Sequence, residues 1–315
     1  MTTRIPPRPT GAMSIDVEEH FHAAALSPGA PRTAWSSLPS RVVASTGTVL
    51  DLFAAAGVKA TFFTLGIVAE RHPALIRRIV AEGHELASHG HAHWRIRDQT
   101  PAEFRADVIR AKAALEDAGG VGVTGYRAAN FSLEPRTWWA YDILAETGHR
   151  YSSSINPIRH DHYGLPDAPV DPFRPTGSGV IEIPMSVVDF AGRRWHVSGG
   201  GWFRLMPYAV FAAGMRRVTG RDRRRPVFYF HPWEVDPDQP RIAAPAGARF
   251  RHYVNLGVMG AKLARLMQDF RWGRIDAAFA DELSGRVDLP VWSPDRRAAV
   301  SGPPGAAAKA AHDGG

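Results

Sequence analysis

Short apolar segments alternate along this chain with longer segments whose apolar residues recur at helical spacing. The short segments predict strands at residues 12–17, 60–65, 85–88, 124–127, 151–153, 180–184 and 227–231. The longer segments predict helices at residues 41–56, 73–82, 101–118, 134–146, 207–218 and 254–270. Strands that alternate with helices in this way indicate an α/β fold with a mainly parallel sheet, either open or closed into a barrel.

The two ends of the chain differ from this alternating region. Residues 1–11 are rich in Pro and are expected to be irregular, and residues 291–315 are rich in Ala, Gly and Pro and are expected to be disordered. We therefore expect a single domain over residues 12–290. No stretch approaches the roughly 20 apolar residues of a membrane span, and the first residues lack the apolar core of a signal peptide.

Composition restricts the chemistry that the domain can perform. The chain has no cysteine, so disulfides and thiolate chemistry are excluded, and a metal site has to use histidine and carboxylate ligands. A formal net charge of +7 raises the question of nucleic-acid binding. However, the densest basic run, residues 221–225, completes no nucleic-acid motif. A solvated basic loop is the preferred interpretation, with attraction to an anionic polymer or membrane surface as the alternative.

Carboxylates and histidines follow two of the predicted strands. Asp16 and Glu18 lie at the end of the first strand, and they face the same side because side chains alternate along an extended chain. Two such carboxylates repel each other unless a cation lies between them or one is protonated; a solvated turn is the alternative. After the third strand come His89, His91 and His93. The spacing of His89 and His93 would place two imidazoles on one face of a helical turn, unless they are surface histidines of a loop.

Together these side chains predict a catalytic metal site. Two histidines and one carboxylate hold a metal and leave positions open for water and substrate. Zinc suits these ligands and is the expected ion, although Co²⁺, Mn²⁺, Ni²⁺ or Fe²⁺ could occupy the same set. A metal of this kind activates bound water and polarises a carbonyl, and a second carboxylate nearby can act as general base.

The order of motifs along the chain resembles the polysaccharide deacetylase family, also called the NodB-homology or carbohydrate esterase family 4 group. The resemblance extends from residue 12 to residue 279. It is carried by the segments DVE (16–18), GVKATFF (57–63), HELASH (84–89), GGGWFRL (199–205), HPWE (231–234) and RFRHYVNL (249–256). DVE and the last three segments are similar to a branch associated with exosortase and exopolysaccharide gene clusters. The resemblance implies a distorted (β/α) barrel whose C-terminal part, residues 150–285, is a DUF3473-type region.

The resemblance also implies roles for individual residues. Asp16 would be the general base, Arg127 would pair with it, and His231 would protonate the departing amine. The metal ligands would be Glu18, His89 and His93. In many relatives the metal carboxylate immediately follows the base, whereas here Val17 stands between the two acids. Side chains that contact the sugar would be Tyr126, Trp202 and Trp233. The implied enzyme is a hydrolase that removes N-acetyl groups from an amino-sugar-containing polysaccharide.

Two positions depart from the family pattern. Ala129 stands where the branch usually has Pro, and Ser152 stands where relatives commonly have Asp. These departures leave open the alternative of a catalytically degenerate carbohydrate-binding protein of the same fold. The His89-Gly-His91 segment leaves open a second alternative with less support, another metal-dependent amidohydrolase. We expect an acetylated polysaccharide or oligosaccharide as partner, with no nucleic acid. The expected location is the cytoplasm, with association with a membrane complex for polysaccharide synthesis as an alternative.

Overall fold

The structure is a computed structural model, and it describes residues 11–159 and 164–294. The strands are β1 (Gly11–Val17), β2 (Thr61–Thr64), β3 (Glu85–Ser88), β4 (Gly125–Tyr126), β5 (Tyr151–Ser152), β6 (Arg174–Pro175), β7 (Ile181–Glu182), β8 (Val187–Phe190), β9 (Arg193–His196), β10 (Val227–Phe230), β11 (Trp272–Gly273) and β12 (Val291–Trp292). The α-helices are α1 (Val42–Ala56), α2 (Gly66–Arg71), α3 (Pro73–Ala81), α4 (Pro101–Gly119), α5 (Ala140–Glu146), α6 (Gly200–Leu205), α7 (Tyr208–Arg216), α8 (Ala246–Tyr253), α9 (Leu256–Asp269), α10 (Ile275–Ala278) and α11 (Ala280–Leu283).

One parallel sheet organises the molecule. Its strand order is β10-β1-β2-β3-β4-β5-β7, and β11 pairs with the start of β1. The strands curl into a half-barrel, so the predicted distorted (β/α) barrel is the observed fold. The largest apolar core lies between this sheet and α1, α3 and α9, where Phe53, Ile76 and Leu263 pack against Phe62 and Phe228.

Local sequence signals explain where the outer helices begin and end. At the start of α4, the Thr100 side chain accepts from the Glu103 backbone amide while the Glu103 carboxylate accepts from the Thr100 amide. Gly57 and Gly120 follow α1 and α4 with φ of 65° at both positions, a left-handed conformation that glycine adopts at little cost.

The sheet register brings the carboxyl ends of five strands together. Val17 of β1 lies opposite Thr64 of β2, and Thr64 lies opposite Ser88 of β3. Ser88 in turn lies opposite Tyr126 of β4, and on the other side of β1, Ile15 lies opposite Phe230 of β10. The residues that follow these strands therefore meet at one edge of the sheet, as expected for the functional edge of a parallel barrel.

Several elements differ from the sequence prediction. The helix expected over 134–146 is a 3₁₀ turn at Pro135–Thr137 followed by α5, and α7 continues into a π-helical turn at Arg217–Arg221. The periodicity missed α2, α6, α8 and the antiparallel β8–β9 hairpin because these elements are only four to eight residues long. Within the segment expected as a tail, β12 pairs with β6, while residues 295–315 lie outside the described residues, as do residues 1–10.

The basic run at 221–225 is not simply a solvated loop. Arg224 donates to the carbonyl oxygen of Val187 and to Asp222, and Arg225 donates to the carbonyl of Ala278 and pairs with Glu282. These arginines therefore connect the segment before β10 to its neighbours. Within the part of the chain that the structure describes, no helix combines the length and hydropathy needed to cross a bilayer.

Candidate metal centre and active site

Three buried side chains converge at the carboxyl edge of the sheet. Glu18 directly follows β1, whereas His89 and His93 lie in the loop after β3. Their ligand atoms all lie within 4.8 Å of one another, and each residue is at most 4% exposed. Oε2 of Glu18 is 2.6 Å from Nε2 of His93 and 4.0 Å from Nε2 of His89. The three predicted metal-ligating residues are thus brought together.

The chemistry of this cluster fits a divalent metal. Although Oε2 of Glu18 lies close to His93, it is buried without an aligned hydrogen-bond donor, which is costly unless a cation compensates it. Nδ1 of His89 donates to the carbonyl oxygen of Arg127 at 2.9 Å, so its Nε2 carries the lone pair that a metal needs. Burial lowers the pKa of His89 to about 4, which keeps the ring neutral. Burial would raise the pKa of Glu18, but the adjacent His93 and His231 hold it below its usual range.

The loop that carries the two histidines is not the helical turn that their spacing suggested. Gly90 has a φ of 76°, and a β carbon at this position would lie 2.9 Å from Oδ2 of Asp107. His93 has a φ of 57°, and its carbonyl oxygen accepts a 2.8 Å hydrogen bond from Arg32. A sharp bend therefore brings the rings of His89 and His93 to a centroid distance of 5.4 Å, without a helix.

Asp16 forms a buried ion pair beside the cluster. Its Oδ1 accepts from Nη1 of Arg127 at 2.7 Å, and the same nitrogen contacts the Ser14 hydroxyl at 2.9 Å. Arg127 is fully buried, and its guanidinium also donates to the backbone and side chain of Ser153. With one carboxylate oxygen held by Arg127, Oδ2 of Asp16 faces His231 at 4.0 Å.

His231 lies across the site and is held by two residues that the sequence analysis did not assign. Its Nδ1 lies 3.0 Å from Oε1 of Glu234, and Oε2 of Glu234 accepts from Nε of Arg204 at 2.7 Å. Burial would lower the pKa of His231, but the hydrogen bond to Glu234 and the charges of Glu18, Glu234 and Asp16 raise it to about 9. Nε2 of His231 points toward the acids, 3.7 Å from Oε1 of Glu18. Glu234 lies in the HPWE segment and Arg204 in the GGGWFRL segment, both of which carried the family resemblance. The sequence therefore did contain a signal for these two residues.

Trp233 supports this histidine and does not offer a stacking surface to a sugar. Its indole stacks on the His231 ring at a centroid distance of 4.9 Å and an interplanar angle of 17°. The His252 ring also stacks on this indole, at 4.3 Å and 15°. Its Nε1 donates to Oε1 of Glu18 at 3.4 Å. The expected substrate contact is therefore corrected to a positioning contact, because the indole is 6% exposed and covered by both imidazoles.

The other two expected substrate contacts differ from each other. Tyr126 is 2% exposed and packs edge-on against Phe104 and His149, on the opposite side of β4 from the site, because adjacent residues Tyr126 and Arg127 point to opposite faces. The structure therefore gives no route by which a sugar reaches it. Trp202, in α6, is 40% exposed and remains available for contact with a substrate.

The departure at Ser152 also lies away from the metal cluster. Ser152 of β5 is opposite Glu182 of β7, which is fully buried. Oε1 of Glu182 accepts from the backbone amides of Ser154 and Ile155 at 2.7 Å each, and Oε2 accepts from the Tyr141 hydroxyl at 2.9 Å. The neighbouring strand thus supplies a carboxylate next to the position where relatives have Asp.

Comparisons with known proteins agree with this arrangement. Residues 37–151 match the family model described as polysaccharide deacetylase, and residues 153–280 match the model of the domain of unknown function DUF3473. The second match falls within the C-terminal region expected from the sequence. A crystal structure from Mycobacterium smegmatis, assigned as a polysaccharide deacetylase, superposes over 93% of this chain and 97% of its own. Its TM-score of 0.60 at 20% identity shows a shared fold.

Curated relatives match a shorter part of the chain. The chitooligosaccharide deacetylase of Bradyrhizobium sp. (strain ANU 289) is 36% identical over 100 residues, which are 32% of this chain and 43% of that protein. The peptidoglycan-N-acetylglucosamine deacetylase of Bacillus cereus is 35% identical over 75 residues, 24% of this chain and 27% of that protein. The chain thus spans less than half the length of these relatives.

Proposed function

We propose that this chain, which contains a polysaccharide deacetylase domain followed by a DUF3473 region, removes N-acetyl groups from an amino-sugar-containing exopolysaccharide. The observation that carries the proposal is the convergence of three groups at one edge of the sheet. These groups are an uncompensated buried carboxylate with two histidines, an Asp16–Arg127 ion pair, and a histidine that the surrounding acids keep protonated. The relatives named as deacetylases support the same reaction class.

The side chains divide the reaction between them. Glu18, His89 and His93 would hold one divalent ion, with zinc as the proposed metal. When bound, this ion supplies a polarised carbonyl and an activated water. Asp16 takes the proton of the attacking water through Oδ2, while Arg127 fixes its other oxygen. The amide C–N bond then breaks, and the products are acetate and a free amine.

His231 completes the reaction as general acid. With its pKa raised to about 9, the imidazolium is present at neutral pH and can donate a proton from Nε2 to the departing nitrogen. Trp233 and Glu234 hold the ring so that this nitrogen faces the acids. Trp202 is the proposed aromatic contact for the sugar. It is exposed and lies in the same short helix as Arg204, which donates to Glu234 beside His231.

The proposal is tested by acetate release from zinc-loaded protein. Chitopentaose and an O-acetylated xylan oligosaccharide are supplied separately, so that amide and ester hydrolysis are distinguished. We expect release from chitopentaose, and Asp16→Asn should lower the rate by about 10²-fold or more because the base is lost. The control Asp51→Asn removes an exposed carboxylate far from the site and should leave the rate unchanged.

Three outcomes would contradict parts of this proposal. Release that is unaffected by Asp16→Asn would refute the role of Asp16 as base. Hydrolysis of the ester substrate alone would refute N-deacetylation. A zinc-loaded protein that binds both oligosaccharides and releases no acetate would identify a carbohydrate-binding protein of the same fold.

A further inference from the structure

A pocket separate from the metal cluster lies directly beside the metal-ligating loop, which carries His89 and His93. It has a volume of about 500 Å³, within the range of ligand-binding pockets, and lies between the segment after β1 and helix α2. His22 lines this pocket and stacks on the metal-ligating His93 at a centroid distance of 5.3 Å with an interplanar angle of 17°. One imidazole therefore lies between the pocket and the metal cluster, so the two sites are adjacent.

Arg32 connects the pocket to the metal-ligating loop. Its guanidinium donates to the carbonyl oxygens of Ala92 at 2.5 Å and His93 at 2.8 Å. It also lies between two indole rings, 4.2 Å from the centroid of Trp35 and 3.6 Å from that of Trp94. Among the described residues, no carboxylate lies within ion-pair distance of Arg32, and the charges of Asp107 and Asp98 act on its guanidinium from beyond that distance.

The remaining charged groups of the pocket reinforce this positive character. Arg71, at the end of α2, is exposed at the pocket and makes no ion pair with any described residue. Glu19 is the carboxylic acid among the lining residues, but its carboxylate already accepts hydrogen bonds from the Ser40 hydroxyl and the backbone amide of Arg41. His72 adds an imidazole beside Arg71. The pocket thus presents two arginines that form no ion pair with a described carboxylate.

Apolar and aromatic side chains form the rest of the wall. Phe21, Leu38, Val42 and Val68 contribute apolar surface, and the half-buried Trp35 contributes an aromatic edge. Sugars combine apolar ring faces with polar substituents, which such a lining accommodates. An arginine at the rim would recognise a planar carboxylate with paired hydrogen bonds.

We infer that this pocket binds a carboxylate-bearing sugar of the same glycan chain whose N-acetyl group occupies the metal site. The inference rests on the proposed deacetylase function and makes it more specific. The substrate class is an acidic heteropolysaccharide, in which uronic acid or pyruvylated units accompany N-acetylated amino sugars. Arg71 is the specificity-determining residue. Arg32 supplies positive charge from the side of the pocket that contacts the metal-ligating loop.

The test compares substrates that differ only in charge. Hyaluronan oligosaccharides alternate glucuronate with N-acetylglucosamine, and chemical reduction of their carboxylates gives neutral oligosaccharides of the same length. For zinc-loaded protein we expect kcat/KM for acetate release to be higher for the acidic form. Arg71→Gln should reduce that preference by about threefold to tenfold, the range for loss of a charge-assisted contact at a partly solvated site. Arg77→Gln, which removes an exposed arginine outside the pocket, should not change it.

A binding measurement separates failure of this inference from failure of the proposed function. Calorimetry with the zinc-loaded Asp16→Asn variant, alone and combined with Arg71→Gln, reports on the pocket without turnover. Tighter binding of the acidic oligosaccharide that depends on Arg71 supports the pocket even if no substrate releases acetate. Equal affinity or equal kcat/KM for both forms, or a preference that survives Arg71→Gln, would overturn it while leaving the deacetylase proposal intact.

Discussion

The replacement Glu234→Gln tests how the fold controls the protonation of His231. Glutamine keeps the size of the side chain and an oxygen that can remain near Nδ1 of His231, but it removes the negative charge. That charge is close, because Oε1 of Glu234 lies 3.0 Å from Nδ1. The variant therefore isolates the electrostatic contribution of Glu234 from its packing.

The size of the expected effect follows from the charges around the ring. The pKa of His231 is raised to about 9 from 6.5, by Glu234 and by the charges of Glu18 and Asp16. In the metal-loaded protein a bound cation offsets the charge of Glu18, and Arg127 offsets that of Asp16, so Glu234 becomes the main remaining influence. Loss of one adjacent charge should lower the pKa of His231 by about 1 to 2 pH units.

The pH profile of kcat/KM for acetate release, measured on zinc-loaded protein, reports this change. A general acid has to be protonated, so wild-type activity should fall as pH rises above the pKa of His231, which the surrounding acids raise. In Glu234→Gln the same decline should begin about 1 to 2 units lower. NMR titration of the His231 ring gives the value even if the variant is inactive. An unchanged alkaline limb and an unchanged ring titration would refute the proposed control by Glu234, and Glu146→Gln, which changes an exposed carboxylate, serves as control.

Stability provides an independent measure of the same contact. The pKa of Glu234 is lowered to about 2, because Arg204 and His231 outweigh the effect of burial. Relative to 4.5, this shift corresponds to about 3 kcal/mol of unfolding free energy. Because the folded pKa is depressed, this contribution is present above pH 4.5 and is lost as pH falls toward 2. Glu234→Gln should therefore lower the free energy of unfolding by about 2 to 3 kcal/mol at pH 7 and by less at pH 3, since it leaves Arg204 buried without its partner charge.

Two further replacements test the metal cluster and the departure from the family pattern. His89→Ala should lower the zinc content, measured by elemental analysis, from about one ion per chain to near zero, because one of the three protein ligands is lost. His91→Ala, a neighbour that faces Glu70, should retain the metal, and equal loss in both variants would contradict the ligand assignment. Ser152→Asp, which introduces the acid that relatives commonly have, should lower the free energy of unfolding by about 3 kcal/mol or more, because a second carboxylate is buried against Glu182. Unchanged denaturation of Ser152→Asp would show that Glu182 does not occupy that acid's place.

The local pattern was sufficient for the elements that carry the site and insufficient for the shape of one loop. Alternating strands and helices indicated the parallel sheet, and period-two alternation placed Asp16 and Glu18 on one face, where both approach His231. The spacing of His89 and His93 indicated a shared ligand role, but it suggested a helical turn where the backbone makes a sharp bend. The bend depends on Gly90 and on a hydrogen bond from the distant Arg32, and spacing carries no information about either.

Contacts between segments far apart in the sequence decided the rest. Sequence alone determined the residue types that can hold a metal, the absence of thiols and the order of strands whose ends carry the acids and histidines. Only the tertiary structure showed that Glu234 and Arg204 hold His231, that two imidazoles cover Trp233, and that Tyr126 faces away from the site. The physical reason is that protonation and exposure depend on which groups packing brings within a few ångströms. Those distances depend on the register and curvature of the whole sheet.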